Sequence, residues 1–262
     1  MEIDTSVPHP ARRYNYWLGG TDNFPADRES GDEFERQFPG MRAGVRANRA
    51  FLKRAVRFLT AEAGIRQFLD IGTGLPSADN THEVAQAIAP ESRIVYVDND
   101  PLVLRQARAL LTSTPAGRTR YLDADLRHPG AILANPALHQ TLDLHRPVAL
   151  MLVAVLHFIP GDGAAQAIVE ELLRALPSGS YLALTHGTHD FAPDQVGTHQ
   201  QMVDRGRSDF WTRDRAEISA LFDGLDLVPP GIVPTSEWRP DPGDPALDPR
   251  VVWTYAAVGR KP

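Results

Sequence analysis

The 262-residue chain contains no cysteine, which excludes disulfides, thiolate metal ligands and a thiol nucleophile. A basic surplus is absent too: 27 Lys and Arg face 33 Asp and Glu, and the formal charge of −6 offers polyanions no general attraction. Neither general nucleic-acid binding nor membrane association is expected. Long apolar runs are also missing. The longest, Pro147 to Ile159, is interrupted by His157 and falls short of the roughly 20 residues of a membrane helix. The opening MEIDTSVPHPARR carries no apolar core of the signal-peptide kind, so a cytoplasmic location is expected.

What is present suits one domain spanning 1–262, since 42% hydrophobic residues over this length suffice for a full core. Residues 1–47 read as an irregular lead-in with a polar-aromatic stretch holding Arg12, Arg13, Tyr14, Tyr16, Trp17 and Phe24. From Asn48, a helix cap, the positions Phe51, Leu52, Ala55, Val56 and Leu59 follow helical spacing. Alternation then sets in. Short apolar strands are expected at 65–71, 93–97, 119–122, 148–156 and 181–185. Helices between them include one opened by the Asn80/Glu83 capping box and one by Asp100-Pro101. Strands separated by helices imply a parallel sheet with helices on both faces. After a helix near 213–222, strands at 225–228 and 251–258 flank a loop with seven prolines between Pro229 and Pro249, which suggests an antiparallel edge pair.

Chemistry concentrates in FLDIGTGLPSADN, residues 68–80. A glycine turn after a first strand lets the backbone approach a ligand, and the next helix offers free N–H groups. This turn lacks the third glycine of a dinucleotide loop. Asp70 would repel a pyrophosphate at short range, whereas S-adenosylmethionine has no phosphate and carries a sulfonium and an ammonium. Asp98, at the end of the second strand, can accept from both ribose hydroxyls. Asp123-Ala124-Asp125 ends the third strand, where a carboxylate and a backbone N–H can meet adenine; Asp125 could equally cap the next segment. A nicotinamide oxidoreductase is disfavoured by Asp70 and the missing glycine.

These segments, LDIGTG, YVDND, YLDAD and ALMLVAVLHFI, resemble those of class I S-adenosylmethionine-dependent methyltransferases. More narrowly, ARRYNYWLGGTDNFPADRESGD, DIGTGLPSADNTHEVA and RAEISALFDGLDLVPPGIVPTSEWRPD resemble methyltransferase family 19, a bacterial group. The resemblance implies a Rossmann-like α/β fold whose seven-stranded, mostly parallel sheet ends in an antiparallel strand. It implies cofactor contacts drawn from Asp70, Gly72, Thr73, Gly74, Asp98, Asn99, Asp123, Ala124, Asp125 and Val153. It names no acceptor; a small molecule is favoured. A protein that binds the cofactor or its demethylated product without transfer is the alternative.

Methyl transfer from sulfonium is an in-line displacement, so the protein must align the acceptor and, where needed, take its proton. His157, after the fourth strand, is the first candidate for base or positioning group, with simple packing as the alternative; Tyr16 and His186 follow. No metal is expected, because Gly187 disfavours the helix that the His186, His189, Asp190 spacing would need. Arg12-Arg13 reads as a surface pair or as a contact to an acidic group. Residues 1–47 could form a lid over the sulfonium, or their aromatics could pack the segment onto the sheet.

Overall fold

The computed structural model describes residues 3–110, 112–161, 163–206 and 208–262. The stretch expected to be irregular is helical: α1 (Pro10–Trp17), α2 (Pro25–Gln37) and α3 (Met41–Ala61). Prolines at the first position of α1 and α2 preset the backbone there. Buried Asp27 joins the two helices by accepting from the backbone N–H of His9 and of Phe24, both at 2.8 Å. Asn48 does not cap α3. The helix begins after Gly40, and Asn48 lies buried inside it, donating to the Tyr14 hydroxyl at 2.8 Å. The apolar stripe is as expected: Phe51, Ala55, Val56 and Leu59 are fully buried, and each large side chain among them contributes about 1.5–3 kcal/mol.

The alternation follows with β1 (Gln67–Ile71), α4 (Thr81–Ile88), β2 (Arg93–Asp98), α5 (Pro101–Leu110) and β3 (Arg118–Asp123). Two short helices, α6 (Pro129–Leu133) and α7 (Pro136–His139), lead to β4 (Ala149–Val153), α8 (Ala164–Arg174) and β5 (Tyr181–Gly187). Asn80 and Glu83 do form the capping box of α4, and Asp100 accepts from Leu102 N–H at 2.9 Å at the start of α5. The end of the chain carries α9 (Val196–Asp204), α10 (Arg215–Ala220), β6 (Asp226–Leu227), β7 (Val233–Pro234), α11 (Pro249–Val252) and β8 (Thr254–Arg260).

The sheet order is β3-β2-β1-β4-β5-β8-β6, with β1 to β5 parallel and β8 antiparallel to β5. The fold is the α/β class I arrangement. Among the described residues the sheet has eight strands rather than seven, because two-residue β7 also pairs with β8 alongside the seven-strand path. β1 and β4 are buried almost throughout, as strands covered on both faces must be. Two apolar layers, one around Leu69, Val95 and Leu150 and one around Phe51, Phe68 and Trp238, hold the sheet between them. No described helix is long and apolar enough to cross a membrane.

Candidate active site

A cavity of about 830 Å³ opens at the carboxyl ends of β1 to β4, where open α/β sheets bind ligands. Its floor is the turn after β1. Gly72 and Gly74 adopt φ of +77° and +68°, and a Cβ on Gly72 would lie 2.4 Å from a methyl of Val155. Only glycine therefore lets this turn pass the segment after β4. The amides of Gly72 and Thr73 donate to Val97 O, and the Thr73 hydroxyl donates to Asp70 O at 3.1 Å, which ties the turn to β1 and β2.

Two buried carboxylates flank it. Asp98 accepts from the amides of Gly74 and Asp100, each at 2.9 Å, and Asp70 accepts from the Thr81 hydroxyl at 2.6 Å. Burial raises both acids, Asp70 to about 6. These are paired acids held ready for a cationic or hydroxyl-rich partner, since a carboxylate has about four acceptor positions and neither has used all of them. Asn99 and Asp125 line the wall beyond β2, joined by a 3.1 Å hydrogen bond. Asp125 also accepts from the Arg127 backbone and guanidinium, which holds its carboxyl well below the usual range. Ala124 and Val153 line the cavity as well. Asp123 does not: it is exposed and off the cavity, because the chain turns inward only at Ala124.

The other wall comes from the segment after β4. Ala154 takes φ +56°, its amide held by the Thr185 hydroxyl at 2.8 Å, and the chain then enters a short 3-10 turn, Leu156–Phe158, that carries His157. His157 is buried on the cavity wall with no hydrogen-bond partner for Nδ1, and its ring lies 4.3 Å from that of Phe210. Burial, with the charges of Arg213 and Arg13 nearby, pushes its pKa well down, so it is neutral at pH 7. Tyr16 is not at the site. It stands off the cavity, donating to Asp32 at 2.7 Å, while the neighbour that lines the wall is Tyr14.

The arginine pair is not a surface feature. Arg12 is buried against Asp100, Nε at 2.9 Å and a second contact at 3.1 Å, which pins α1 to the end of β2; Arg13 is buried and paired with Asp209. The histidine cluster disperses. His186 is buried with Nδ1 2.8 Å from Gly187 O and Nε2 2.6 Å from Arg213, so Nδ1 carries its proton and Nε2 accepts. His189 bonds Thr212, and Asp190 accepts from Arg215 N–H and Tyr255. Among the described residues no three His, Asp or Glu side chains converge to hold a metal ion.

The profile of a family described as S-adenosyl methyltransferase matches residues 1–262. The chain belongs to that family. This methyltransferase is 49% identical to a protein of the DUF574 family from Streptomyces avermitilis, with all of both chains covered and a TM-score of 0.95. It is 42% identical to a candidate methyltransferase from Thermobifida fusca, covering 98% of this chain and 96% of that one at a TM-score of 0.89. An S-adenosylmethionine-dependent methyltransferase from Anabaena variabilis, 14% identical with 100% and 99% covered and a TM-score of 0.53, shares the fold. Among curated proteins none matches. The enzyme is thus an S-adenosylmethionine-dependent methyltransferase, and the residues present fit that cofactor. Asp70 offers negative charge without a phosphate cradle, Asp98 has acceptor positions left for hydroxyls, and the wall holds a buried Asn48 Oδ1 with no partner.

Sequence reasoning missed Tyr14, Asn48 and the ring wall around Phe210. The one sequence signal for the last is the glycine that ends β5; in the structure a Cβ on Gly187 would lie 2.1 Å from the Phe210 ring.

Proposed function

We propose that this methyltransferase acts on a small molecule enclosed with its cofactor in the 830 Å³ cavity, a volume near the upper end of the usual 300–1,000 Å³ for ligand pockets. The observation that carries the reading is the pair of buried carboxylates, Asp70 and Asp98, on either side of the Gly72-Thr73-Gly74 turn. In this reading Asp98 and Asn99 hold the ribose, and Asp70 with the glycine turn faces the cationic methionine part. Ala124 and Asp125 border the adenine, with Val153 beneath. Asp123 and Tyr16 have no part in it. Residues 1–262 work as one unit in the bacterial cytoplasm, with 1–47 as cover, and neither nucleic acid nor membrane is a partner.

S-adenosylmethionine, when bound, supplies a methyl group on a sulfonium already activated for displacement. The chain's own task is alignment and exclusion of water. Buried, neutral His157 accepts a hydrogen bond from the acceptor's O–H or N–H and fixes its orientation; its depressed basicity makes it a positioning group rather than a proton sink. The 3-10 turn that carries it is held by Trp211 N–H donating to His157 O at 2.7 Å and by Arg213 donating to Ile159 O at 3.0 Å. α1 closes the site from above through the Arg12–Asp100 pair.

A thermal-shift titration tests the reading. Ligand at a hundred times its Kd stabilises by about 2.7 kcal/mol, so S-adenosylmethionine should raise Tm clearly in the wild type and not in Asp98→Ala. Equal shifts in both proteins would remove Asp98 from the site.

A further inference from the structure

Away from its carboxylates the cavity changes character. Trp17 of α1, Phe34 and Phe38 from α2 and its end, Phe210, Trp253 and His157 make a continuous aromatic wall. Ring centroids are 6.0 Å apart for Trp17 and Phe34, 5.1 Å for Phe34 and Phe38, 5.2 Å for Phe38 and Trp253 and 6.1 Å for Phe34 and Phe210. One position in this wall is built at a conformational cost: Trp253 sits at φ +58°. The Phe210 ring fits because Gly187 behind it lacks a side chain.

The wall also holds polar atoms that the protein does not satisfy. Ten buried side-chain N or O atoms have no partner among the described residues, and five belong to residues of this cavity; besides Asn48 Oδ1, counted above with the cofactor's residues, they are Arg13 Nε, His157 Nδ1, Gln195 Oε1 and Trp253 Nε1. Folded proteins leave few such atoms, so their gathering around one cavity points to a ligand that pairs with them. The charged groups at this end cancel. Arg13 is ion-paired with Asp209, and half-buried His199 and buried His157 are both shifted towards the neutral form. Arg13 is already neutralised by Asp209, so an anionic acceptor would meet that carboxylate beside the guanidinium, and a cationic one would face Arg13 itself.

We propose that the aromatic end of the cavity takes a neutral, flat aromatic methyl acceptor whose O–H or N–H donates to Nδ1 of His157. This rests on the reading that cofactor and acceptor share the cavity. Stacking against the ring wall supplies orientation, and the single imidazole nitrogen selects the atom that is methylated. As the new bond from that O or N to the methyl carbon forms, the carbon–sulfur bond breaks to leave uncharged S-adenosylhomocysteine, and the acceptor's proton is released to solvent water. Val155 links the two ends, since its side chain packs on Gly72 two residues before His157.

The test titrates 2-naphthol, 2-naphthoate and benzyltrimethylammonium into the full chain saturated with S-adenosylhomocysteine, by calorimetry. Naphthol should bind at least tenfold more tightly than either charged probe. Gly187→Ala, which forces the Phe210 ring to move, should weaken naphthol about tenfold and leave the S-adenosylhomocysteine Kd within twofold. Should that variant not fold, Trp253→Leu serves the same comparison. The proposal is overturned by a charged probe that binds as tightly as naphthol. It is equally overturned by naphthol binding that ignores a folded variant, or by no naphthol binding while S-adenosylhomocysteine is bound. Failure of S-adenosylhomocysteine to bind would instead overturn the cofactor assignment itself.

Discussion

The two ends of the cavity are built in opposite ways. The carboxylate end sits on the tips of neighbouring parallel strands, where the sheet itself fixes Asp70 and Asp98 and the backbone turn between them. The aromatic end is assembled from α1, α2, the segment near Phe210 and Trp253 before β8, elements far apart in the chain. The first end makes its selection by charge and by hydrogen-bond acceptors, the second by shape and by the absence of charge. A sheet edge can carry one ligand chemistry unchanged while loops and added helices set another, which is how one fold serves many acceptors.

The largest effect is expected where the two ends are joined. Arg12→Met leaves Asp100 buried without its guanidinium partner, the His9 ring 3.2 Å away, and should cost about 3–5 kcal/mol in denaturant unfolding. A loss under 1 kcal/mol would mean that α1 is not anchored through this pair. Next, Asp98→Ala should weaken S-adenosylmethionine about 100-fold, or about 2.7 kcal/mol, by removing a charged acceptor. Calorimetry reads it directly.

Asp70→Asn should separate cofactor from product. S-adenosylmethionine carries the sulfonium and should lose about tenfold in affinity, while uncharged-sulfur S-adenosylhomocysteine should change much less. Acidity adds a second handle. Burial raises Asp70 to about 6, so cofactor affinity should fall as pH drops from 7 to 5, and Asp70→Asn should flatten that dependence. Its folded-state pKa stands above its ordinary value of 3.8, so the folded chain binds this proton more tightly than the unfolded one. Without cofactor, the stability contributed by Asp70 is therefore present in acid and lost as pH rises through about 6. The smallest effect is at the other end: His157→Gln should leave the S-adenosylmethionine Kd within twofold and lower acceptor binding by about tenfold or less, the loss of one hydrogen bond. A large change in cofactor affinity would place His157 at the wrong end.

The contrast between the ends also explains what could be read from the residues. Asp70, the glycine turn, Asp98 and the Asn80/Glu83 box are local patterns, each fixed by a strand end or a helix cap a few residues away, and each was legible. Asp123 was grouped with Ala124 and Asp125 as one strand end, but the chain turns towards the cavity only at Ala124. α1 escaped notice because PARRYNYW has no apolar stripe and is capped by His9, an uncommon capping residue; Pro10 and Pro25 were the available signals. Asn48 resembled a cap because a short polar side chain ahead of an apolar stripe usually is one. Its actual partner, Tyr14, is 34 residues away and invisible to local pattern. Burial of Arg12 and Arg13 depends likewise on Asp100 and Asp209, 88 and 196 residues distant.

The central claim is that the carboxylate end holds the cofactor's charged part independently of the aromatic end. Calorimetric titration of S-adenosylmethionine and S-adenosylhomocysteine into wild type, Asp70→Asn and Gly187→Ala, at one pH above 7, tests it most directly. The account predicts that Asp70→Asn lowers affinity for the sulfonium form selectively and that Gly187→Ala changes neither ligand by more than about twofold. Equal losses of both ligands in Gly187→Ala, or no discrimination between them in Asp70→Asn, would contradict it.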